Sequence, residues 1–357
     1  MGLKVGVLGV GPVGEKILQV LSERAFPADG PVTVMATSER DENLNGKPVH
    51  VRKISEDLFG NLDLVFFAGK EGAKGASLQW AEIAVKKGCT VIDNGGDLRM
   101  YPCYPLVIPE INMDAVTADM RLICNPNCST IQMAISLYPL HKAARLRRVI
   151  VSTYQSVSGH SGAAIEQLKK ETRQVLSGNL PEQNSSIFTR QIAFNCIPHI
   201  DRFTESGYTR EELKMINETR KIFGEPNLMI SATTVRVPVM VGHGESINAE
   251  FMEPMHAAKA IEILSDKQSA PGIVCMDGMN GNEEALNIRG DSLERNYPVG
   301  ADLAKDEWRD AVLVGRIRDD MTAPNCINLW CVSDNLRKGA ATNAVQIAEQ
   351  MIKRGLL

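Results

Sequence analysis

A cysteine at a predicted helix entrance is the residue of this sequence best suited to covalent chemistry. Cys128 follows the apolar stretch Leu122–Cys124 through an Asn-Pro turn and begins an apolar segment of helical character. At a helix N-terminus the dipole and the free N–H groups lower the pKa of a thiol and favour the thiolate. Asn127 could cap this helix or direct its amide at an oxyanion. The segment therefore predicts a thiolate nucleophile.

His243 is the strongest candidate for a proton-transferring partner of that thiolate. It follows the β-branched run Val235–Val241 and lies between Gly242 and Gly244, whose missing side chains would let a substrate come close. Arg236 lies shortly before it in the same run. An isolated histidine is more often structural, but these neighbours favour general acid–base chemistry.

A glycine-rich turn near the N-terminus predicts a second kind of chemistry, dinucleotide binding. It follows a predicted strand and opens a predicted helix, which is the context that this motif requires. The glycines let the backbone approach a pyrophosphate, and the helix N-terminus supplies free N–H groups. The turn is formed by Gly9, Val10, Gly11, Pro12, Val13 and Gly14.

The residues after the second predicted strand leave the identity of the dinucleotide open. An acid such as Glu39 would hydrogen-bond a ribose 2′-hydroxyl and favour NAD, whereas Ser38 and Arg40 would hold a 2′-phosphate and favour NADP. Both residue types are present, so the local chemistry alone permits either cofactor.

The segment from Gly159 to Ala163 offers a competing reading, that of a serine hydrolase. It approaches the nucleophile elbow, with Ser161 between two glycines after a predicted strand. The last position is Ala163 instead of glycine, and a dinucleotide turn has no place in a simple hydrolase. We therefore give this reading little weight.

Alternating strands and helices position these groups. Over the first 130 residues the rhythm predicts βαβ units and a parallel sheet, and the longer β-type runs that follow predict a mixed sheet. The glycine-, asparagine- and aspartate-rich stretch Asp277–Pro298 is predicted to be a loop. The predicted strands are Lys4–Gly9, Val32–Ala36, Leu62–Ala68, Thr90–Asp93, Leu122–Cys124, Arg147–Val157, Val235–Val241, Ile247–Pro254 and Asn328–Ser333; the predicted helices are Val13–Glu23, Ser77–Lys87, Ala163–Leu176, Thr209–Phe223 (the last two exposed) and Gly339–Arg354.

Composition limits the class of protein. A chain of 357 residues fits two domains, and a net charge of −4 gives no basic excess for binding nucleic acid. We see no signal peptide and no run that could span a membrane. The eight cysteines have neither disulfide nor metal-site spacing, which favours reduced thiols, a cytoplasmic location and no bound metal.

Longer motifs give the chain a close resemblance to the aspartate-semialdehyde dehydrogenase family over nearly its full length. The resemblance rests on the Cys128 and Arg236–His243 segments together with four further stretches. These are Ile192–Asp201, Glu211–Lys214, Val314–Arg318 and Ser333–Ala344. It implies an α/β fold with a Rossmann-type parallel-sheet domain, residues 1–130 completed by 334–357, and an α+β catalytic and dimerisation domain, residues 131–333, with a mixed sheet.

The resemblance also implies roles for individual residues. Cys128 is similar to the acylated nucleophile, His243 to the general acid/base, Gln155 to the glutamine that orients the reacting group, and Asn127 supports the oxyanion. The remaining expected contacts are with substrate or cofactor. They are Arg236 for the substrate α-carboxylate, Glu211 for its amino group, Arg99 and Lys214 for phosphate, and Gly9, Gly11, Pro12, Val13, Gly14, Ser38, Arg40, Ser158, Gly159 and Asn335 for the dinucleotide.

The implied reaction is the NADPH-dependent reductive dephosphorylation of L-aspartyl 4-phosphate to L-aspartate 4-semialdehyde through a Cys128 thioester. Such enzymes serve lysine, diaminopimelate, methionine and threonine biosynthesis, and homodimers or dimers of dimers are expected. The family prefers NADP, although NAD is possible. The alternatives are an N-acetyl-glutamyl-phosphate reductase-like enzyme, which Glu211 disfavours, and a non-catalytic paralogue that acts as a binding protein, which the presence of Cys128 disfavours.

Three stretches depart from the family pattern. The turn Gly9–Gly14 is one residue shorter than the usual Gly-x-x-Gly-x-x-Gly, and Asn94-Gly95-Gly96-Asp97 stands where Asn-Ser-Ser is common. His160 is unusual beside the expected nicotinamide loop.

Overall fold

The chain folds into two compact units in a computed structural model, which describes residues 2–69, 72, 74–179, 181, 187–278 and 297–357. The first unit comprises Met1–Asn127 and Gly339–Leu357, and the second comprises Cys128–Lys338. Within the described ranges, no helix is long and apolar enough to cross a bilayer. Element labels follow chain order.

The first unit is a seven-stranded, mostly parallel sheet flanked by helices. Its strand order is β3-β4-β2-β1-β5-β6-β7, and only the β3–β4 pair is antiparallel. This confirms the predicted Rossmann-type α/β class. The elements are β1 (Val5–Leu8), α1 (Pro12–Glu23), β2 (Thr33–Ala36), β3 (Arg40–Leu44), β4 (Lys47–Lys53), α2 (Glu56–Phe59), β5 (Leu64–Phe67), α3 (Ala76–Lys86), β6 (Thr90–Asp93), α4 (Pro109–Asn112), β7 (Leu122–Cys124) and, from the chain end, α9 (Thr342–Lys353).

The core of the first unit lies between the central strands and helices α1 and α9. Strands β1, β5 and β6 are buried along their whole length, as is typical of parallel strands covered on both faces. Ile17 of α1 and Val345 of α9 pack in the same apolar cluster as Val7 and Phe66. The C-terminal helix therefore completes the N-terminal core.

The hairpin β3–β4 is absent from the sequence prediction. Asn45 and Gly46 connect the two strands with φ angles of 53° and 75°. Positive φ at both turn positions matches a two-residue hairpin turn, for which Asn-Gly is the preferred pair. The Asn-Gly turn signal was therefore present in the sequence, but the strands that flank it are polar and lack the apolar alternation by which strands are predicted.

The second unit is built on a six-stranded mixed sheet of order β11-β12-β13-β10-β8-β9. Strands β8 and β9 run parallel, whereas β10 is antiparallel to both β8 and β13. The predicted mixed sheet is confirmed. The elements are α5 (Cys128–Ala144), β8 (Leu146–Gln155), α6 (Gly162–Leu176), α7 (Arg210–Phe223), β9 (Met229–Arg236), β10 (His243–Phe251), α8 (Ala257–Ser265), β11 (Ile273–Cys275), β12 (Val312–Asp319) and β13 (Cys326–Ser333).

The strand predicted at Val235–Val241 is displaced in the structure. Strand β9 begins earlier, at Met229, and ends at Arg236. Pro238 has no N–H to donate to a sheet, and the carbonyl of Val239 instead accepts a hydrogen bond from Val157 at 2.8 Å. Buried and exposed residues alternate along β9, but serines and threonines on it weaken the apolar pattern. Of the predicted loop Asp277–Pro298, residues 279–296 lie outside the described residues.

Helix α7, expected to be exposed, buries one face, and the acidic side chain of Glu212 lies on that face. Its N-cap Thr209 forms a capping box with Glu212, in which Glu212 N donates to the threonine hydroxyl and Thr209 N donates to the carboxylate. The second carboxylate oxygen of Glu212 accepts from Thr234 N of β9 at 3.0 Å. The box thus fixes the start of α7 against the sheet.

We expect Thr209→Ala to lower the free energy of unfolding by about 1 kcal/mol, because it leaves Glu212 N without its cap in a buried place. Thr209→Ser keeps the hydroxyl and is the matched control. Urea unfolding of both variants measures the difference, and equal stability of the Ala and Ser variants would contradict the assignment.

Candidate active site

Four of the predicted site residues lie at one edge of the second unit's sheet. Gln155 ends β8 and pairs with Arg236, which ends the parallel strand β9. His243 begins β10, whose antiparallel direction brings its first residue to the same edge. Strand β13 also reaches this edge, since Ser333 pairs with His243 and leads to Asn335. Four strand ends therefore present their side chains together.

Cys128 is the first residue of α5 and is partly exposed. The helix behind it is buried over most of its length, so the cysteine stands at the accessible end of a core helix. Asn127 precedes it as the last residue of the first unit and is buried. This placement agrees with the helix-entrance geometry that the sequence predicted.

Arg236 is a buried cation. Its Nη1 donates to the carbonyl of Ser156 at 2.6 Å. Burial lowers the pKa of the guanidinium, while its electrostatic interactions with Glu211 and Cys128 raise it. A guanidinium stays protonated in proteins, so the site holds a fixed positive charge with a planar donor fork, suited to a carboxylate.

Gln155, Glu211 and Lys214 form a polar chain beside that cation. Gln155 Nε2 donates to Glu211 Oε1 at 3.2 Å. Lys214 Nζ lies 3.7 Å from Glu211 Oε2 and 3.2 Å from Asp201 Oδ2. Gln155 and Glu211 are buried, whereas Lys214 is partly exposed, so the chain runs from the sheet edge toward the surface.

His243 is fully buried, and its two ring nitrogens have different surroundings. Nδ1 lies 3.0 Å from the backbone N of Ser156, which donates to it. Nε2 has no hydrogen-bond partner among the described residues. A Cβ atom on Gly159 would lie 3.1 Å from both His243 Nε2 and Arg236 Nη1. The missing side chain of Gly159 therefore leaves space beside Nε2.

The imidazole is held in its neutral form. Burial and the charge of Arg236 lower the pKa of His243 well below its ordinary value, and a hydrogen bond at Gly242 opposes them. Two residues along β10, the buried Glu245 cannot supply a counter-charge, because burial raises the pKa of its carboxyl well above the usual range. A cationic imidazole is thus disfavoured at neutral pH.

Asn335, Ser158 and Ser156 form a network behind His243. Asn335 Oδ1 accepts from Gly242 N at 3.0 Å and from the Ser156 hydroxyl at 3.1 Å. Its Nδ2 donates to Ser158 Oγ at 2.9 Å. Sequence reasoning missed Ser156 and Glu245, and it gave Gly242 a different role, that of leaving space for a substrate. The signal available for Ser156 was its position directly after Gln155.

The glycine turn of the first unit has the shape needed for a pyrophosphate. Gly9 has a φ of 114°, and a Cβ there would overlap the carbonyl of Ala68. A Cβ on Gly14 would overlap the carbonyl of Gly9, whereas one on Gly11 would meet open space. Gly11 is the N-cap of α1 and provides no side-chain cap, while Pro12 and Val13 form its first turn. The helix N-terminus is thus open to an anion.

Ser38 and Arg40 lie together after β2. Arg40 Nη1 donates to both the carbonyl and the hydroxyl of Ser38 at 3.1 Å, and Nη2 lies 2.9 Å from Glu42 Oε2. Glu39 Oε1 instead lies 3.5 Å from His50 Nε2. Ser38 and Arg40 therefore form one hydrogen-bonded group, whereas the Glu39 side chain pairs with His50.

A buried polar cluster surrounds Arg99 after β6. Arg99 Nη2 donates to the carbonyl of Asn94 at 2.7 Å. Asp93 Oδ1 accepts from Ser77 Oγ at 2.8 Å and from Gly95 N at 2.9 Å. A Cβ on Gly95 would overlap Ser77 Oγ, so a side chain here would displace the hydroxyl that donates to Asp93.

Ser161, the candidate hydrolase nucleophile, is the N-cap of α6. Its hydroxyl accepts from Ala164 N at 3.2 Å, and His160 Nδ1 lies 3.2 Å from the same oxygen. A capping role accounts for this serine. Within the part of the chain that the structure describes, no group of three or more metal-ligating side chains converges.

Comparisons with known proteins bear on both units. A family model described as "Semialdehyde dehydrogenase, NAD binding domain" matches residues 4–118, and one described as "Semialdehyde dehydrogenase, dimerisation domain" matches residues 137–338. The chain is 43% identical to an aspartate-semialdehyde dehydrogenase of Aquifex aeolicus, with 100% of both chains covered. It resembles the crystal structure of aspartate semialdehyde dehydrogenase II from Vibrio cholerae with a TM-score of 0.85 at 40% identity, covering 99% of each chain. The same values hold for that enzyme complexed with ASA.

Asp93 makes a pH-dependent contribution to stability that can be measured. Burial raises the pKa of its carboxyl from 3.8 to about 6, while hydrogen bonds and Arg99 oppose the rise. Because the pKa is higher in the folded protein, this group destabilises the fold as pH rises from the lower to the higher value. The full effect is about 3 kcal/mol, at about 1.4 kcal/mol for each pKa unit.

We expect Asp93→Asn to gain stability relative to the unmutated protein as the pH rises from about 4 to about 7, because an amide cannot ionise. Urea unfolding across that range gives the difference at each pH. Asp29→Asn, at an exposed position, is the matched control. A pH-independent difference for Asp93→Asn would contradict the assignment.

Proposed function

This chain belongs to the aspartate-semialdehyde dehydrogenase family, and from that premise we propose that it converts L-aspartyl 4-phosphate into L-aspartate 4-semialdehyde and inorganic phosphate, using a reduced nicotinamide cofactor. The observation that carries the proposal is the shared sheet edge of Gln155, Arg236 and His243, in the unit that Cys128 begins. A nucleophile, a carboxylate clamp and a hydrogen-bonding imidazole are the parts that this acyl transfer needs.

Cys128 is the nucleophile in this proposal. Its thiolate sulfur attacks the acyl carbon, the carbon–oxygen bond to phosphate breaks, and phosphate leaves with that electron pair, which gives a thioester. The position of Cys128 at the start of α5 supports the thiolate, since the helix dipole favours a negative charge there. Asn127 is proposed to support the oxyanion.

Arg236 and Glu211 orient the substrate. The guanidinium of Arg236 is suited to a bidentate pair with the α-carboxylate, and the Glu211 carboxylate to the α-ammonium. Their burial makes both interactions stronger than they would be in water. Gln155 donates to Glu211 and keeps that carboxylate beside the sheet edge, which is consistent with a role in orienting the reacting group.

Hydride and proton movements complete the reaction. A reduced nicotinamide, when bound, would supply the hydride that reduces the thioester. His243 handles the charge that develops on the adjacent oxygen. When the carbon–sulfur bond breaks, the aldehyde leaves and Cys128 regains its thiolate, so this half of the cycle needs no net proton from the protein.

We propose NADP as the cofactor. Gly9, Gly11, Pro12, Val13 and Gly14 would hold the pyrophosphate, Ser38 and Arg40 the 2′-phosphate, and Ser158, Gly159 and Asn335 the nicotinamide side. The Ser38–Arg40 pairing and the contact of Glu39 with His50 support NADP over NAD, because an NAD site would use the acid for the ribose. A kcat/KM for NAD at or above that for NADP would contradict this choice.

Arg99 and Lys214 are proposed to bind the phosphate. Arg99 is buried, and Lys214 lies between Glu211 and Asp201. We assign the enzyme to the pathways of lysine, diaminopimelate, methionine and threonine biosynthesis, on the family alone. None of the eight cysteines, all of which lie in the described ranges, forms a disulfide, which supports a cytoplasmic location.

We also propose a homodimer formed through the outer face of the second unit's sheet. The matched dimerisation domain spans this unit. Ile150 and Tyr154 of β8 are 40% and 41% exposed, and the Tyr154 ring lies 5.4 Å from that of Trp330. An exposed apolar face on a sheet is typical of a protein–protein interface. A second copy of the chain would cover it, alone or as part of a dimer of dimers.

The activity is tested by following NADP reduction with L-aspartate 4-semialdehyde and phosphate, the reverse direction. We expect Cys128→Ser to abolish it, because a hydroxyl at this position does not ionise at neutral pH. Cys103→Ser, at an exposed cysteine, is the control and should retain full activity. Turnover only with N-acetyl-glutamate semialdehyde would favour the reductase alternative, and binding without any turnover would favour the non-catalytic paralogue.

The dimer is tested by Tyr154→Arg. A charge on the proposed interface should raise the dissociation constant at least about tenfold, since burying an unpaired charge costs several kcal/mol. Analytical ultracentrifugation over a concentration series measures the shift. Leu78→Arg, which places a charge at an exposed apolar position of α3, is the control and should leave association unchanged. An unaltered dissociation constant for Tyr154→Arg would place the interface elsewhere.

A further inference from the structure

The orientation of the Asn335 side chain is determined by a backbone group. Gly242 N can only donate, and it lies 3.0 Å from Asn335 Oδ1, so the amide oxygen faces Gly242. The amide nitrogen then faces Ser158 Oγ, to which it donates at 2.9 Å. Asn335 is almost fully buried, and these partners fix it without any contribution from solvent.

The Ser156 hydroxyl is fixed by the same amide. Ser156 Oγ lies 3.1 Å from Asn335 Oδ1, 3.0 Å from Ser158 Oγ and 3.1 Å from His243 Nδ1. Asn335 Oδ1 and an unprotonated Nδ1 can both accept, so the Ser156 hydroxyl can donate to either of them. The two serines and Asn335 thereby hold the chain at Ser156 in one position.

That position directs the backbone N–H of Ser156 at His243 Nδ1, over 3.0 Å. An imidazole nitrogen has a single lone pair in the ring plane, and it can accept from an N–H only when it carries no proton. Arg236 lies beside the ring. Burial and the charge of Arg236 lower the pKa of His243 more than the hydrogen bond at Gly242 raises it, so a second ring proton is disfavoured. The remaining ring proton must therefore lie on Nε2.

We propose that Ser156, Ser158 and Asn335 are positioning residues that lock His243 in the tautomer with its proton on Nε2, so that His243 acts as a hydrogen-bond donor to the reacting oxygen and not as a base toward Cys128. The inference deepens the proposed function and rests on it for its catalytic meaning. It assigns Asn335 and Ser158 a task that acts through His243, in addition to any contact with the dinucleotide.

The lock has a chemical consequence for the reaction. A neutral imidazole with Nε2–H cannot accept a proton at Nε2, but it can stabilise the negative oxygen that forms when sulfur or hydride adds to the carbonyl carbon. The proton stays on Nε2 throughout, because collapse of each intermediate re-forms the carbonyl and expels phosphate or the thiolate. The space left by Gly159 beside Nε2 gives the oxygen room to approach.

The tautomer itself can be observed without turnover. In protein with 15N-labelled histidine, long-range proton–nitrogen correlation spectra distinguish a protonated from an unprotonated ring nitrogen. The His243 signals are those lost in His243→Gln. We expect an unprotonated Nδ1 and a protonated Nε2 that persist through neutral pH. A protonated Nδ1, either as the other tautomer or as the imidazolium, would overturn the proposal even if the enzyme is fully active.

The positioning role is tested with Asn335→Ala and Ser156→Ala. We expect kcat to fall roughly 10- to 100-fold, by analogy with the loss that follows when the hydrogen-bonding partners of metal-ligating histidines are removed. KM for the semialdehyde should change little, because Arg236 and Glu211 are untouched, and the His243 signals should lose their single-tautomer pattern. Asn227→Ala and Ser265→Ala, at exposed positions, are the matched controls.

The outcomes separate the two proposals. A kcat loss with an unchanged His243 spectrum would show that these residues act elsewhere and would overturn the lock. Should the Ala variants fail to fold, the spectrum of the unmutated protein still decides. Absence of turnover with every semialdehyde, together with the expected spectrum, would refute the proposed function and leave the tautomer assignment intact.

Discussion

The pairing of β8 with strands on both sides is the constraint on which the second unit's site depends. The parallel register with β9 puts Gln155 opposite Arg236, and the antiparallel register with β10 puts the start of that strand at the same edge. A shift of one residue in either register would turn the affected side chains to the other face of the sheet. The relative positions of the site residues therefore depend on backbone pairing along the whole length of β8.

Charge is distributed in this site so that burial is tolerated. Arg236 is the fixed cation, and its Nη1 donates to the Ser156 carbonyl while Glu211 lies near enough to raise its pKa. His243 and Glu245, which are fully buried, are held in their neutral forms by the same burial. A second buried charge without a partner of opposite sign would cost several kcal/mol of desolvation. Neutral forms of His243 and Glu245 avoid that cost.

Local patterns in the sequence predicted much of the framework and the main site residues. The buried parallel strands and Cys128 at a helix entrance could be read from short apolar runs and turn chemistry, because those signals are local. The predicted range for β9 began too late, because Ser231, Thr233 and Thr234 weaken the apolar alternation of the strand. The network of Ser156 and Asn335 joins residues far apart in the chain, and nothing in the spacing of a single sequence indicates such a contact.

The glycines that flank His243 have a different role from the one that the sequence suggested. They suggested open space for a substrate, yet each has a structural requirement of its own. Gly242 has a φ of 91°, which favours glycine, and its N–H orients Asn335. A Cβ on Gly244 would overlap the Trp330 indole. The glycine that does leave space at Nε2 is Gly159, which comes from a different part of the chain. Gly159 thus leaves the space beside the imidazole, while Gly242 and Gly244 fix the backbone on either side of His243.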